Sequence, residues 1–255
     1  MHVSSSQITL TMRNLLGKTA FLTVASNLFR NRPTSSFAMS VSATTQGRLG
    51  IDYPELVVFD LDACFWDQEM FEMSQLPDRT ATGDLNGKGE GVIGAYSGRN
   101  KISMHKGSMI ALQEHADGVL YPGMKVCFAS SADTPFAEKV GRATLKLLEV
   151  VPGMTVWDLV MRDWDNQDVN QIGRQPPLSS NKAQSHFPRI RELTGISYDK
   201  MLFFDDCNWG DHCGMVARAC KENGKSVVTH RTPSGLREAD WRKGLELYQK
   251  AHAGE

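Results

Sequence analysis

What this 255-residue sequence lacks narrows its class first. No apolar run approaches the ~18 residues of a membrane helix, so no membrane partner is expected. The five cysteines form no CxxC pair. Their odd number argues against a disulfide scaffold and suits a reducing compartment. No serine sits in a G-x-S-x-G frame, so a Ser-His-Asp hydrolase has no support. There is no internal repeat. Residues 1–50 contain five Lys/Arg and no Asp or Glu, so the chain beyond them carries 23 basic against 29 acidic side chains. An acidic body of this kind argues against nucleic-acid binding, which needs a basic footprint.

The acid-free head also holds 15 Ser/Thr, and Thr and Asn interrupt every apolar stretch in it. That composition reads as an unstructured organelle transit peptide rather than a secretory leader. Mitochondrion and plastid both stay open. So do a plain disordered tail and an internal start at Met39, either of which leaves the protein cytoplasmic.

The remainder, residues 51–255, is organised around Leu56-Val57-Val58-Phe59-Asp60-Leu61-Asp62. Four apolar residues, two of them β-branched, predict a buried strand of a parallel sheet. The run breaks into two aspartates. Positions i and i+2 of an extended chain share a face, so Asp60 and Asp62 leave the strand side by side. Such carboxylates repel unless a cation or a proton lies between them.

Further strands are predicted over 125–129, 155–161, 201–204 and 227–229. Helices are predicted over 107–116, from about 135 with Phe136, Val140, Leu147 and Leu148 on one face, over 181–195 with Asn181 as cap, from 213 to near Gly224, and over 236–251. Pro188 should kink its helix or delay its start. Residues 67–91 form a polar stretch with a turn at Asn86-Gly87. A hairpin over 91–104 turns near residues 97–100, and 163–181 is a loop. Strands alternating with helices specify an α/β fold with a doubly wound, mostly parallel sheet, here carrying a small hairpin insertion.

In such a sheet, ligands bind beyond the carboxyl ends of the strands. Asp60 and Asp62, Ser130 and Ser131, Lys182 at a helix start, and Asp205 with Asp206 all fall there. Four carboxylates can hold Mg²⁺, which prefers oxygen ligands. A carboxylate can also attack phosphorus, while a hydroxyl and an ammonium bind the phosphoryl oxygens. Two other patterns are decoys. Gly89-Glu90-Gly91-Val92-Ile93-Gly94 fits G-x-G-x-x-G but follows a polar loop. Asp163–Asp168 resembles a calcium loop without its glycine or late glutamate.

The order Asp-Leu-Asp, strand-end Ser, helix-start Lys, strand-end Asp-Asp resembles the haloacid-dehalogenase (HAD) superfamily, and within it the magnesium-dependent phosphatases. The resemblance spans roughly residues 54–235 and also rests on Phe65-Trp66 and Met201-Leu202-Phe203-Phe204. It implies a HAD-like domain with a small cap region at about 67–124. It implies Asp60 as nucleophile and metal ligand, and Asp62 as general acid/base with its main-chain carbonyl on the metal. Ser130 would bind the phosphoryl group with Ser131 beside it. Lys182 would neutralise that group and orient Asp60, and Asp205 and Asp206 would complete the Mg²⁺ site. Cys64 stands where the family has Thr or Val, and Ser131 where it often has Arg.

The activity this implies is Mg²⁺-dependent hydrolysis of a phosphomonoester through an aspartyl-phosphate. The substrate is expected to be a small metabolite such as a sugar phosphate, or a phosphotyrosine-like group. A catalytically silent phospho-ligand-binding or scaffold protein is the alternative. A mutase is disfavoured by the small cap, since mutases must exclude water. Cys64 and Cys207 fall beside the aspartates, and they are either inert packed thiols or groups that approach the active pole and make activity oxidation-sensitive.

Overall fold

The computed structural model describes residues 52–253. The targeting segment read over residues 1–50, and Met39 within it, lie outside them. Among the described residues, no helix is long and apolar enough to cross a membrane.

In chain order the elements are β1 (Leu56–Phe59), β2 (Arg79–Asp84), β3 (Glu90–Ser97), β4 (Asn100–Ile102), α1 (Lys106–Asp117), β5 (Lys125–Ser130), α2 (Pro135–Leu145), β6 (Glu149–Val151), β7 (Met154–Thr155) and α3 (Val156–Arg162). Then come β8 (Gln171–Ile172), α4 (His186–Thr194), β9 (Met201–Asp205), α5 (His212–Ala219), β10 (Lys221–Glu222), β11 (Lys225–Ser226), β12 (Val228–Arg231) and α6 (Glu238–His252).

Five strands form one parallel sheet in the order β12-β9-β1-β5-β8. β1 is central, and all four of its residues are buried, which is why Leu-Val-Val-Phe shows no alternation. Phe59 lies opposite Phe128 on one side and Phe204 on the other. It stacks on Phe204 with ring centroids 5.5 Å apart and packs against Phe65 and Trp241. The chain runs outward through β1, β5 and β8, then returns to β9 and β12 on the opposite side. Strand order therefore reverses at β1, where a crevice opens beyond the carboxyl ends. Adjacent strands lie about 4.8 Å apart, so the register alone brings their tips within a few ångströms.

Several sequence expectations change. The strand expected over 155–161 is α3. Thr155 Oγ1 accepts the Asp158 N–H at 3.0 Å and the Asp158 carboxylate accepts the Thr155 N–H at 3.4 Å. This reciprocal cap starts a helix whose Val156, Leu159 and Val160 are buried at helical spacing. The polar stretch 67–91 contains β2, antiparallel to β3. β2 is mostly exposed and reads Arg-Thr-Ala-Thr-Gly-Asp, with no apolar alternation to announce it. The loop over 163–181 contains β8, paired with Ala129 and Ser130.

The helix expected from 213 to near Gly224 stops at Ala219, and a hairpin follows with Asn223 and Gly224 at φ +53° and +77°. Phe136 is exposed rather than core. The hairpin over 91–104 is found, with Ser97 opposite Asn100. α4 starts late, at His186, which leaves Pro188 in the first turn, where a missing N–H costs nothing.

Candidate active site

The Asp60 N–H extends the β1–β9 ladder by bonding the Phe204 carbonyl at 2.9 Å. The chain then folds into a tight turn over Leu61–Phe65. Ala63 sits there at φ +51°, a left-handed conformation uncommon outside glycine. The turn places Asp62 in the cleft lining, where its Oδ1 accepts the Trp66 indole N–H at 3.1 Å. Ser130 ends β5, Asp205 ends β9, and Asp206 follows it. Lys182 lies in the turn before α4 rather than in the helix. Asn181 Oδ1 caps that turn by accepting the Ala183 N–H at 3.1 Å.

These residues meet. Lys182 Nζ is 2.7 Å from Asp60 Oδ1 and 2.6 Å from Asp205 Oδ2. Its side chain is 1% exposed. Asp60, Asp205 and Asp206 each place a carboxylate oxygen within 4.8 Å of the others. The Asp62 carboxylate stands outside this trio. Ser130, Ser131, Asp60, Asp62, Lys182 and Asp206 all line one cleft of about 670 Å³. Asp205 does not line it, because its oxygens are taken by Lys182 and by the Cys207 N–H at 2.8 Å.

The electrostatics follow from one ammonium among four carboxylates. Burial alone would lower the Lys182 pKa, but Asp205 and Asp60 outweigh it and raise it. Burial would raise Asp205, yet Lys182 and the Cys207 amide hold it below the usual carboxylate range. Asp60 shares the same lysine and is nevertheless pushed well up, first by burial, then by Asp205, Asp206 and Asp62. Asp206 is raised by burial and by Asp205. Asp62 is pushed up to about 7, mainly by burial and then by the Glu69 carboxylate. A buried trio of oxygen donors whose negative charge exceeds its one cation could hold a metal ion.

His186 ties the pole together from behind. Its Nε2 lies 3.1 Å from the Ser130 carbonyl and 3.0 Å from the Gly173 carbonyl. Both partners only accept, so Nε2 carries the proton. Burial, then the Lys182 charge, lowers its pKa to about 4, and His212 adds to this. An unfolded histidine titrates near 6.5. Between these values the unfolded chain binds a proton that the folded one refuses. Stability therefore falls as pH drops from about 6.5 to about 4, by roughly 3 kcal/mol in all. The stability gap between wild type and His186→Gln should narrow by about 2 kcal/mol between pH 7 and about pH 5, read from urea midpoints. A gap independent of pH would contradict a buried neutral histidine.

Sequence reasoning missed Glu69, Phe71, Arg174, Trp209 and His212, which also line the cleft. Arg174 and Trp209 follow the ends of β8 and β9, so reading further past each strand would have found one of them. β8 itself was not visible. Arg174 donates its Nε–H to the Ser131 carbonyl at 3.1 Å and has no carboxylate partner among the described residues. Of the segment 67–124, Glu69 and Phe71 alone reach the lining.

Both thiols lie near the pole, since Cys64 feels the charges of Asp60, Asp205 and Asp206 and Cys207 that of Asp205, yet neither opens onto the cleft. Cys64 is buried against the Thr232 hydroxyl at 3.3 Å, and burial pushes its thiol well up. Cys207 Sγ accepts the Cys213 N–H at 3.4 Å. Neither lines the cleft. The glycine-rich decoy lies in the β2–β3 hairpin. In the calcium-loop decoy, Asp163 accepts the Val126 N–H at 3.0 Å and Asp168 pairs with Arg142 at 2.7 Å.

A parallel sheet with clustered carboxylates and a buried ammonium at its carboxyl pole defines a Rossmann-like protein of the HAD type. A family model described as acid phosphatase matches residues 52–251, and the chain belongs to that HAD-like family. No curated protein matches the chain.

Proposed function

We propose that the protein is a Mg²⁺-dependent phosphatase that hydrolyses small phosphomonoesters, among them sugar phosphates and aryl phosphates, through an aspartyl-phosphate. The observation that carries this reading is Lys182, buried between Asp60 and Asp205 inside the carboxylate cluster. Asp60 attacks phosphorus, and the bond to the leaving oxygen breaks. Asp62, whose pKa of about 7 suits a proton donor, protonates that oxygen. It then takes a proton from the water that splits the aspartyl-phosphate, releasing phosphate and restoring Asp60. Lys182 holds Asp60 and draws the phosphoryl oxygens, with the Ser130 hydroxyl beside it. Arg174, anchored on Ser131, adds a second positive charge at that side of the cleft.

Asp60 and Asp206 would hold the Mg²⁺, with Asp205 behind them and the Asp62 main-chain carbonyl completing the set. When bound, the ion neutralises phosphoryl charge. Phosphate release from p-nitrophenyl phosphate should fall at least about 10²-fold on chelation and return with Mg²⁺. Equal rates with and without chelator would remove the metal from the mechanism.

A further inference from the structure

We infer that Arg174, with the Ser131 hydroxyl and the Asn181 amide, forms a second anion subsite in the cleft, and that it selects phosphomonoesters whose alcohol carries a carboxylate. The inference rests on the phosphatase reading above and narrows its substrate class.

Arg174 is held in place but not neutralised. It lies just past the tip of β8, one residue after Gly173, whose N–H bonds the Ser130 carbonyl at 2.8 Å. Its Nε–H donates to the Ser131 carbonyl at 3.1 Å, which fixes the guanidinium beside the β5 tip. Both terminal nitrogens are without a partner among the described residues, and no carboxylate pairs with them. Two neighbours in the same lining are also unmatched. The Ser131 hydroxyl bonds no described residue, and Asn181 uses only Oδ1, on the Ala183 N–H at 3.1 Å. A guanidinium fork with open N–H groups fits a planar carboxylate.

The charges of the lining sort into two sets. Arg174 and Lys182 both act on the His212 ring, so the two cations share one wall. Glu69 feels Asp133 and Asp206, and Asp62 feels Glu69, so the acids share another. Lys182 and Ser130, each 1% exposed, form the floor where the phosphoryl group binds in the proposed reaction. Arg174 is exposed and stands further out. An anionic substituent on the alcohol is repelled by the acidic wall and drawn to the open guanidinium. One unpaired cation balances one charge, which favours a carboxylate over a second phosphate. Successive Cα atoms are about 3.8 Å apart, and the anchor is the residue after Ser130, so the carboxylate belongs a few bonds from the ester oxygen. The contact is made alike before and during bond breaking, so the subsite acts on KM more than on kcat.

The test uses ligands of one shape that differ in one charge. Binding of 3-phosphonopropionate and of its neutral carboxamide, neither of which can be hydrolysed, is measured by calorimetry on the full chain with Mg²⁺. The kcat/KM values of the matching esters, phosphoglycolate and phosphoglycolamide, are measured beside it. Wild type is expected to prefer the carboxylate roughly tenfold in both assays, with the kinetic difference in KM. That ratio should shrink as salt rises from about 0.05 M to about 0.5 M. Arg174→Gln should bring it close to one, and Arg174→Lys, which keeps the charge and loses the fork, should fall between. Equal affinity of wild type for the two phosphonates overturns the subsite. So does a ratio untouched by Arg174→Gln, which would put the carboxylate on the metal instead. A tenfold binding preference with neither ester turned over upholds the subsite and removes the hydrolase reading. Both esters turned over alike removes the subsite and keeps the hydrolase. Arg174 is exposed and outside the core, so its variants should fold, which their unfolding midpoints check.

Discussion

Replacing Lys182 by methionine is expected to cost about 3–5 kcal/mol of stability and to abolish turnover. Methionine fills a similar volume, so the loss is one of charge. Lys182 Nζ sits 2.7 Å from one buried carboxylate and 2.6 Å from another. Removing it strands Asp60 and Asp205 in a low-dielectric pocket with Asp206 beside them. At neutral pH the folded variant must keep unpaired charges or take up protons. Carboxylates whose folded pKa values are raised above the unfolded ones make the folded state bind more protons, so acidification stabilises it relative to the unfolded chain. The deficit against wild type should therefore be largest near pH 7 and shrink toward pH 5. Urea unfolding at both values measures it. A variant as stable as wild type at neutral pH would mean that the lysine is not the counter-ion of the cluster.

Asp60→Asn is the second large effect. Phosphate release should fall by at least about 10³-fold, because an amide cannot form the covalent intermediate. Folding should not suffer. The substitution takes one negative charge out of a crowded set in which burial and three neighbouring carboxylates already oppose ionisation of Asp60. Stability equal to or above that of wild type is expected, the usual trade between a strained site and a relaxed one. Reducing the acyl phosphate with borohydride during turnover converts the labelled aspartate to homoserine, which peptide masses locate. Label at position 60 in wild type and none in the variant is the expected result. Label on Asp62, or full activity in Asp60→Asn, would overturn the assignment of the nucleophile.

Much of the fold was legible because its signals are local. Leu56–Phe59, Lys125–Ser130 and Met201–Asp205 are mainly apolar runs that meet a polar or acidic residue at the carboxyl end, and each is a buried strand. The failures share one cause. β2 is an exposed strand whose pairing with β3 is decided by the turn at Asn86-Gly87, not by burial. β8 is two residues long and exists only because β5 offers it an edge. α3 reads as a strand in sequence because its first turn is apolar, and only the contact between Thr155 and Asp158 reveals the cap.

The same division runs through the site. Chain order alone decided which groups stand at the ends of strands, since a strand's period of two and its apolar run fix where the polar tip emerges. That much determined the candidates Asp60, Asp62, Ser130, Asp205 and Asp206, while Lys182 came from the start of a predicted helix. Only the tertiary structure decided that β5 and β9 both border β1, that Lys182 is buried between two carboxylates, and that Asp205 turns inward while Asp206 faces the cleft. It also brought Phe71 and Trp209 together across 138 positions of sequence. The physical reason is that burial, pairing and charge coupling act between residues distant in the chain, and strand order together with the packing of the connecting turns sets which of them become neighbours.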